Sequence, residues 1–561
     1  MCLTRSLIGW VTSGGVGPPN AEGGESRFTR LGLVRRAIGA ALVAYGADIW
    51  TASARAAGSS VARGAIRQLT VRSGGRPFLG DRPHFATINP RSSTGRRFAE
   101  LIVDSNAETD AFFEVVSRHS AGLTVNSRTA TRLRRGVSHI PWRPPASTPP
   151  GSYILRLRSA ADEVPGPVLA EAVVRVLDVE ATFGRRSARP GERVGLSVLA
   201  DTPWLNLTLL RCGGESEPTN SNSIMNGVPV APPQRIDLRG HRDHALSVPV
   251  QLPTSLTTGV HCARLDGPSG HLGFAPIVIR PATPTQRVAV VMPTTTSQAY
   301  NFYDENGDGF GGTWYALWAQ KRVDLTRPHL RRGVPYRWRS YDLQFQRWLA
   351  SRGHAVDTYA DEDIELFRSA EQLRAAYDLI VFPGHTEYVT ARLFDLIEGF
   401  RNLGGRLIFL SANNFFREVV RDDSHVRLIT EWRNKGRPEA SLLGAQYIAN
   451  DRGSRQKPYT VTGADVAPWA FANTGLANGS SFGLYGIEID ATNPVSPPGT
   501  QVLARIPDLF GPGRSAEMTY YETPAGARVF SAGALNFGGT VMLWDSVGKI
   551  LDNVWARMLA P

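Results

Sequence analysis

The chain has very little cysteine, almost no lysine, and no apolar run long enough to cross a bilayer. Its three cysteines, Cys2, Cys212 and Cys262, are too few for a disulfide scaffold or a zinc cluster. None follows Cys262, so the C-terminal half carries no thiol nucleophile. Lysine supplies only Lys321, Lys435, Lys457 and Lys549 among 62 basic residues, a skew that reads as coding bias. The formal charge of +12 is dispersed rather than striped, so no nucleic-acid partner is expected. After the N-terminal region no segment reaches the ~20 apolar residues of a membrane span, so no span is expected. What is present is ordinary for a folded, turn-rich protein: 42% hydrophobic and 20% charged residues, with 56 Gly and 38 Pro. A length of 561 residues predicts several domains.

Residues 35–57 read RRAIGAALVAYGADIWTASARAA: a twin arginine, an apolar stretch, and small residues suited to cleavage. Residues 1–57 are therefore expected to be a leader of twin-arginine type. Such a leader delivers the protein to the periplasm, the cell surface or the medium. The alternative is a short amphipathic or disordered N-terminus on a cytosolic protein.

Residues 76–282 alternate in short β-branched runs broken by Gly, Pro, Asn and Asp, among them FAELIVDS, GSYILRLRS, RVGLSVLA and WLNLTLLRC. The pattern predicts tandem immunoglobulin-like β-sandwiches, one over 76–179 and one over 180–282. Cys212 and Cys262 fall on strands of the second, where a disulfide could join its two sheets; two buried free thiols fit equally well.

Beyond residue 283 the pattern changes. RVAVVMP, DLIVFPG and RLIFLSA are continuous apolar runs of the kind found in parallel strands buried on both faces. Between them lie helical stripes, one of which carries Tyr341, Phe345, Trp348 and Leu349 and stops at Gly353. Strand and helix in alternation predict a doubly wound α/β domain over 283–561, of the amidotransferase-like or flavodoxin-like kind. Ligands of such sheets sit beyond the carboxyl ends of the strands. Three ends here are polar: Thr294 to Tyr303 after the first, His385-Thr386-Glu387 after the second, Asn413-Asn414 after the third. The turn PGHTEY offers neither Cys nor Ser where an amidotransferase or hydrolase carries its nucleophile. Water activated by a metal or a general base is therefore favoured over covalent catalysis. The alternative is that His385 and Glu387 cap the next helix.

The ordered set TTTSQAYNFY (294–303), RPH (327–329), YDLQFQRWLASRGHAVDTYADED (341–363), FPGHTEY (382–388), GGRLIFLSANNFF (404–416) and VFSAGALNFGG (529–539) resembles the large (beta) subunit of N,N-dimethylformamidase. The resemblance implies a hydrolase that cleaves the C–N bond of small linear amides with a mononuclear iron held by two tyrosines and a glutamate. It implies Tyr300 and Glu387 as metal ligands, with His385 and Asn413 beside Glu387 in the catalytic set. Where the family pattern has its second tyrosine, this chain has His261, in Gly259-Val260-His261-Cys262-Ala263-Arg264-Leu265. An imidazole there would keep a three-ligand site and would also suit zinc, or the departure marks a non-catalytic exported binding protein. The expected partners are a small amide and either further copies of the chain or a small partner subunit.

Two further motifs stand apart. Asp304, Asn306 and Asp308 with Gly309 open a calcium-type loop, but position 12 is Tyr315 where the closing glutamate belongs. The run RRGVPYRWRSY (331–341) interleaves Arg with aromatics and is expected to be a solvated loop or a lip over the substrate entrance.

Overall fold

The computed structural model describes residues 66–74, 83–92, 96–117, 123–161, 164–217, 219–242, 244–316, 320–451 and 453–561. The expected leader, 1–57, lies outside the described residues.

Strict alternation makes the first sandwich. Ala99–Ser105 buries every second side chain, as a strand with one face on a core must. It pairs with Ile66–Ser73 and Gly136–Trp142 in a three-stranded sheet. A five-stranded sheet runs from Phe85–Ile88 through Val164–Val176, Gly151–Ala161 and Thr109–Ser117 to Thr124–Leu133. Leu101, Val103, Val115, Leu155 and Val174 fill the space between the two sheets. The expected start at residue 76 is too late, because Ile66–Ser73 is held in register against Ala99–Ser105. A second pair of sheets follows, built around Gly259–Asp266 and Arg193–Ala200, with Leu196, Leu207, Ala263, Leu265 and Ile277 in its core. The molecule is thus multidomain and strand-rich, sandwich-like in its first half, with few helices.

Of the two arrangements open for the cysteines of the second sandwich, the structure has the free thiols and not the disulfide. Cys212 and Cys262 are free and buried. Cys212 follows the strand Trp204–Arg211, which pairs directly with Gly259–Asp266, so both cysteines belong to one sheet and bridge nothing. They pack as small apolar groups in the cluster shared with the C-terminal region.

The C-terminal region centres on a nine-stranded sheet. Five strands are parallel, in the spatial order Asp357–Ala360, Val288–Met292, Leu379–Phe382, Arg406–Phe409, Arg528–Ser531. Val288, Val290 and Met292 face Trp348, Ile550 and Leu551, while Ala289 and Val291 face Leu393, Ile397 and Phe400. Period-2 side-chain placement therefore puts apolar contact on both faces of the strand, which explains a run with no polar residue. The helix Leu343–Arg352 ends at Gly353 with φ 65, as a left-handed C-cap requires. Residues between the last two parallel strands, where the sequence offers no helical or parallel pattern, supply the antiparallel strands of this sheet, a two-stranded sheet, and two strands of a four-stranded sheet completed by Arg322–Asp324 and Tyr388–Val389.

Candidate functional site

Each parallel strand hands the chain to a turn at the same rim. Val288–Met292 leads through Thr294–Ala299 to Tyr300, which closes that short helix. Leu379–Phe382 leads to His385 and Glu387, both buried. These two residues do not cap a helix: the next helix, Ala391–Asn402, starts later and is capped by Thr390, whose hydroxyl accepts from Leu393 N at 3.1 Å. Tyr388–Val389 between them form a short strand. Arg406–Phe409 leads to Asn413, held at φ 55, a conformation that asparagine tolerates better than most residues.

Glu387 is the hub. Its Oε2 accepts from Tyr300 Oη at 2.7 Å and from Tyr315 Oη at 3.1 Å. Tyr315 Oη also bonds Tyr388 Oη, which accepts from Trp314 Nε1 at 3.1 Å. Arg417 Nε stands 3.9 Å from Glu387 Oε1. His385 Nε2 lies 3.6 Å from Glu387 Oε2 and 3.4 Å from a second carboxylate, Glu488 Oε2, and makes no hydrogen bond of its own. Asn413 Nδ2 donates to Glu488 Oε2 at 2.7 Å, and its own backbone N–H is held by Asp490 Oδ1 at 2.8 Å. The ring of Tyr300 is stacked between Tyr315, at 4.4 Å, and Tyr336, at 5.6 Å.

Electrostatically the site is dry and acidic. Burial raises the Glu387 carboxyl, against the lowering effects of its Tyr300 hydrogen bond and of Arg417. Burial and then the Glu387 charge push Glu488 up to about 8. Burial alone lowers His385 to about 3, leaving a neutral imidazole. Tyr300, Tyr315 and Tyr388 are raised by burial and by the carboxylate they face. Two carboxyl groups this close in a buried site do not both ionise readily, and a cation between them would favour the charged form of each. Among the described residues no three His, Cys, Asp or Glu side chains form a coordination group. A metal here would therefore need the phenols: Tyr300, Tyr315 and Glu387 offer three hard oxygen donors, and the unpartnered His385 nitrogen lies beside them.

The structure brings Tyr300, His385, Glu387 and Asn413 together; it does not bring His261. On Gly259–Asp266, Val260 and Cys262 pack toward the C-terminal region, whereas Ala263 and Leu265 point into the sandwich core. By alternation His261 shares their face. It is fully buried, its Nδ1 lies 3.2 Å from Gly259 O, its Nε2 is unpartnered, and burial lowers it to about 4. Tyr315 and Glu488 instead complete the group around Glu387. The sequence signal for Tyr315 was its place at position 12 of the Asp304 loop; Glu488 had none.

The Asp304 loop is closed by its own amides. Asp304 accepts from Gly307 N at 2.8 Å, Gly309 N at 2.9 Å and Ser152 Oγ at 2.8 Å. Asn306 Oδ1 accepts from Asp308 N at 3.1 Å, and Asp308 Oδ1 from Phe310 N at 2.8 Å. The oxygens expected to bind calcium are thus turned toward backbone N–H groups, as in an Asx turn. The Arg-aromatic run places Tyr336 against Tyr300, at the rim of the site.

Two solved structures with detectable likeness are a Yersinia pseudotuberculosis adhesin, InvE (15% identity, TM-score 0.16, 40% of this chain and 62% of that one), and Salmonella alpha-2-macroglobulin reacted with methylamine (9%, TM-score 0.21, 38% and 16%). The chain spans less than two thirds of either, and likeness at this level bears on neither fold nor function. No curated protein matches the sequence. One family model does, described as N,N-dimethylformamidase beta subunit-like, C-terminal, over residues 229–548. That span exceeds half of the chain and holds Tyr300, Tyr315, His385, Glu387, Asn413 and Glu488. The chain belongs to the N,N-dimethylformamidase beta subunit-like family.

Proposed function

We propose that this protein is a metal-dependent hydrolase of the C–N bond in small linear amides of formamide type. The observation that carries the reading is the convergence of two phenols on one buried carboxylate, Glu387, with a second carboxylate, Glu488, and a neutral imidazole beside it. Five parallel strands with apolar contact on both faces make a doubly wound layer in this reading, with the site at its carboxyl rim. Tyr300, Tyr315 and Glu387 would hold a mononuclear iron, and zinc is the alternative. Bound there, the metal supplies Lewis acidity toward the amide carbonyl and toward water. The chain's own groups do the rest. Tyr336 and Tyr315 flank the Tyr300 ring and hold its phenol on Glu387. His385 Nε2, neutral and with no partner of its own, can accept a hydrogen bond from water and orient it. Glu488 Oε2, fixed by Asn413, can pass a proton to the leaving amine nitrogen. Export through residues 1–57, and assembly with further copies or a small subunit, belong to the same proposal.

Purified protein is expected to contain iron, to absorb in the visible through an iron–phenolate bond, and to release amine from formamide-type substrates. Metal-free, colourless protein after expression with iron and zinc supplied would sink the metal reading. An amide screen that releases no amine from metal-loaded protein would leave the non-catalytic binding role.

Asn413→Ala removes the amide that fixes Glu488 and is expected to lower kcat by ~10–100-fold with little change in KM. Asn413→Gly, which accommodates φ 55 without strain, should lose the same activity. If glycine restores turnover, the asparagine serves the backbone and not Glu488.

A further inference from the structure

A cavity of ≈ 70 Å³ lies between the second sandwich and the parallel sheet, apart from the Glu387 group. Val260, Ile277 and Met292 give it apolar walls, and the exposed Gly184, Arg185 and Thr326 stand at its mouth. Asp342, His329 and Trp338 also line it, and each carries a buried polar atom with no hydrogen-bond partner: Asp342 Oδ1, His329 Nδ1 and Trp338 Nε1. Native interiors rarely leave even one such atom unpaired, and three around one cavity point to a ligand.

The polarity of the three atoms can be read. The side-chain amide of Gln298 is oriented by two bonds: its Nε2 donates to Arg327 O at 2.9 Å, and its Oε1 accepts from Asn301 Nδ2 at 3.0 Å. That Nε2 also faces His329 Nε2 at 3.5 Å, so the ring nitrogen there is the acceptor and the proton sits on Nδ1. Burial lowers His329 to about 3, so the ring is neutral. Trp338 Nε1 can only donate. Asp342 is 4% exposed, and burial alone raises it to about 7. Its neighbour is Gly384, where a Cβ would stand 2.2 Å from Asp342 Oδ1; the FPGH turn packs against the carboxylate without bonding it. The cavity thus presents one carboxyl acceptor, two unpaired N–H donors and largely apolar walls; Arg185 at the mouth and Arg186 also line it, but their guanidinium groups are held by Glu192 and Glu362. Donors among the lining groups disfavour a metal ion, and the carboxylate disfavours an anion.

We propose that this cavity binds a small ammonium ion that also carries an oxygen acceptor, of the amino-alcohol class. The ammonium sits on Asp342, and the oxygen accepts from His329 Nδ1 and Trp338 Nε1. The site is independent of amide hydrolysis at Glu387.

Calorimetric titration of the full chain with ethanolammonium, n-propylammonium and ethylene glycol at constant ionic strength tests this. Ethanolammonium should saturate one site below about 10 mM, within reach of a four-heavy-atom ligand. n-Propylammonium, which lacks the oxygen, should bind at least ~10-fold more weakly, and ethylene glycol, which lacks the charge, should not saturate. Asp342→Asn should weaken ethanolammonium by ~100-fold, while Glu387→Gln should leave its affinity unchanged. No saturation by ethanolammonium, equal affinity across the three probes, or binding lost in Glu387→Gln and kept in Asp342→Asn would overturn the proposal. If Asp342→Asn fails to fold by circular dichroism, the three probes on the unaltered chain, with Trp338→Phe as second variant, decide the same question.

Discussion

Glu387→Gln is expected to lower amide hydrolysis by at least ~10³-fold, about 4 kcal/mol of barrier, while the protein remains folded. Glutamine has the volume of glutamate and keeps an oxygen for Tyr300 or Tyr315, so the buried packing survives. What is lost is the charge on which both phenols converge. The substitution also removes a carboxylate that burial disfavours, so the unfolding midpoint should stay level or rise. Metal content should fall with turnover. The measurements are amine release, metal analysis and thermal unfolding on the same preparation. Turnover that persists would remove Glu387 from the mechanism; turnover lost together with the fold would make it a structural residue.

The largest expected loss of stability comes from Trp348→Ala. Trp348 is fully buried. Its ring packs against Phe345 at 5.8 Å, Trp555 at 5.2 Å and His354 at 4.8 Å, and its Nε1 donates to Asp552 at 2.9 Å. Truncation opens a cavity between the helices Leu343–Arg352 and Asp545–Leu559 and removes one donor from Asp552, which keeps its two bonds to Arg352. The cost should be roughly 3–5 kcal/mol, read as a lower denaturation midpoint. Trp348→Phe keeps most of the ring and should cost less than half as much; equal losses would show that the indole hydrogen bond, not the packing, dominates.

Trp348 also shows how much of the fold was legible. Its place on an apolar stripe with Phe345 and Leu349 is local, set by 3.6-residue periodicity, and the helix forms there. The helix that it meets comes from the far end of the chain, and no local pattern named Trp555 or Asp552 as partners. The same division runs through the candidate site. Tyr300, His385, Glu387 and Asn413 could be singled out because each follows a continuous apolar strand, and parallel strands aim their ends at one rim. Glu488 could not, because it lies on a short antiparallel strand, Glu488–Ala491, inside a region without periodic signal. Tyr315 was visible only as the wrong residue for a calcium loop.

His261 marks the limit most clearly. The strand Gly259–Asp266 is buried on both faces over most of its length, so hydrophobicity gives no clue to which face looks toward the C-terminal region and which into the sandwich. A shift of one residue in pairing exchanges the two faces. From residue order alone came the strand-rich first half, the parallel apolar strands beyond it, the missing thiol nucleophile and the polar strand ends. Tertiary structure decided that His261 turns inward, that Cys212 and Cys262 share one sheet, and that Tyr315 and Glu488 reach Glu387. The first set depends on dihedral preference and burial within a few residues. The second depends on register between segments far apart in the chain, which is chosen by packing over the whole unit.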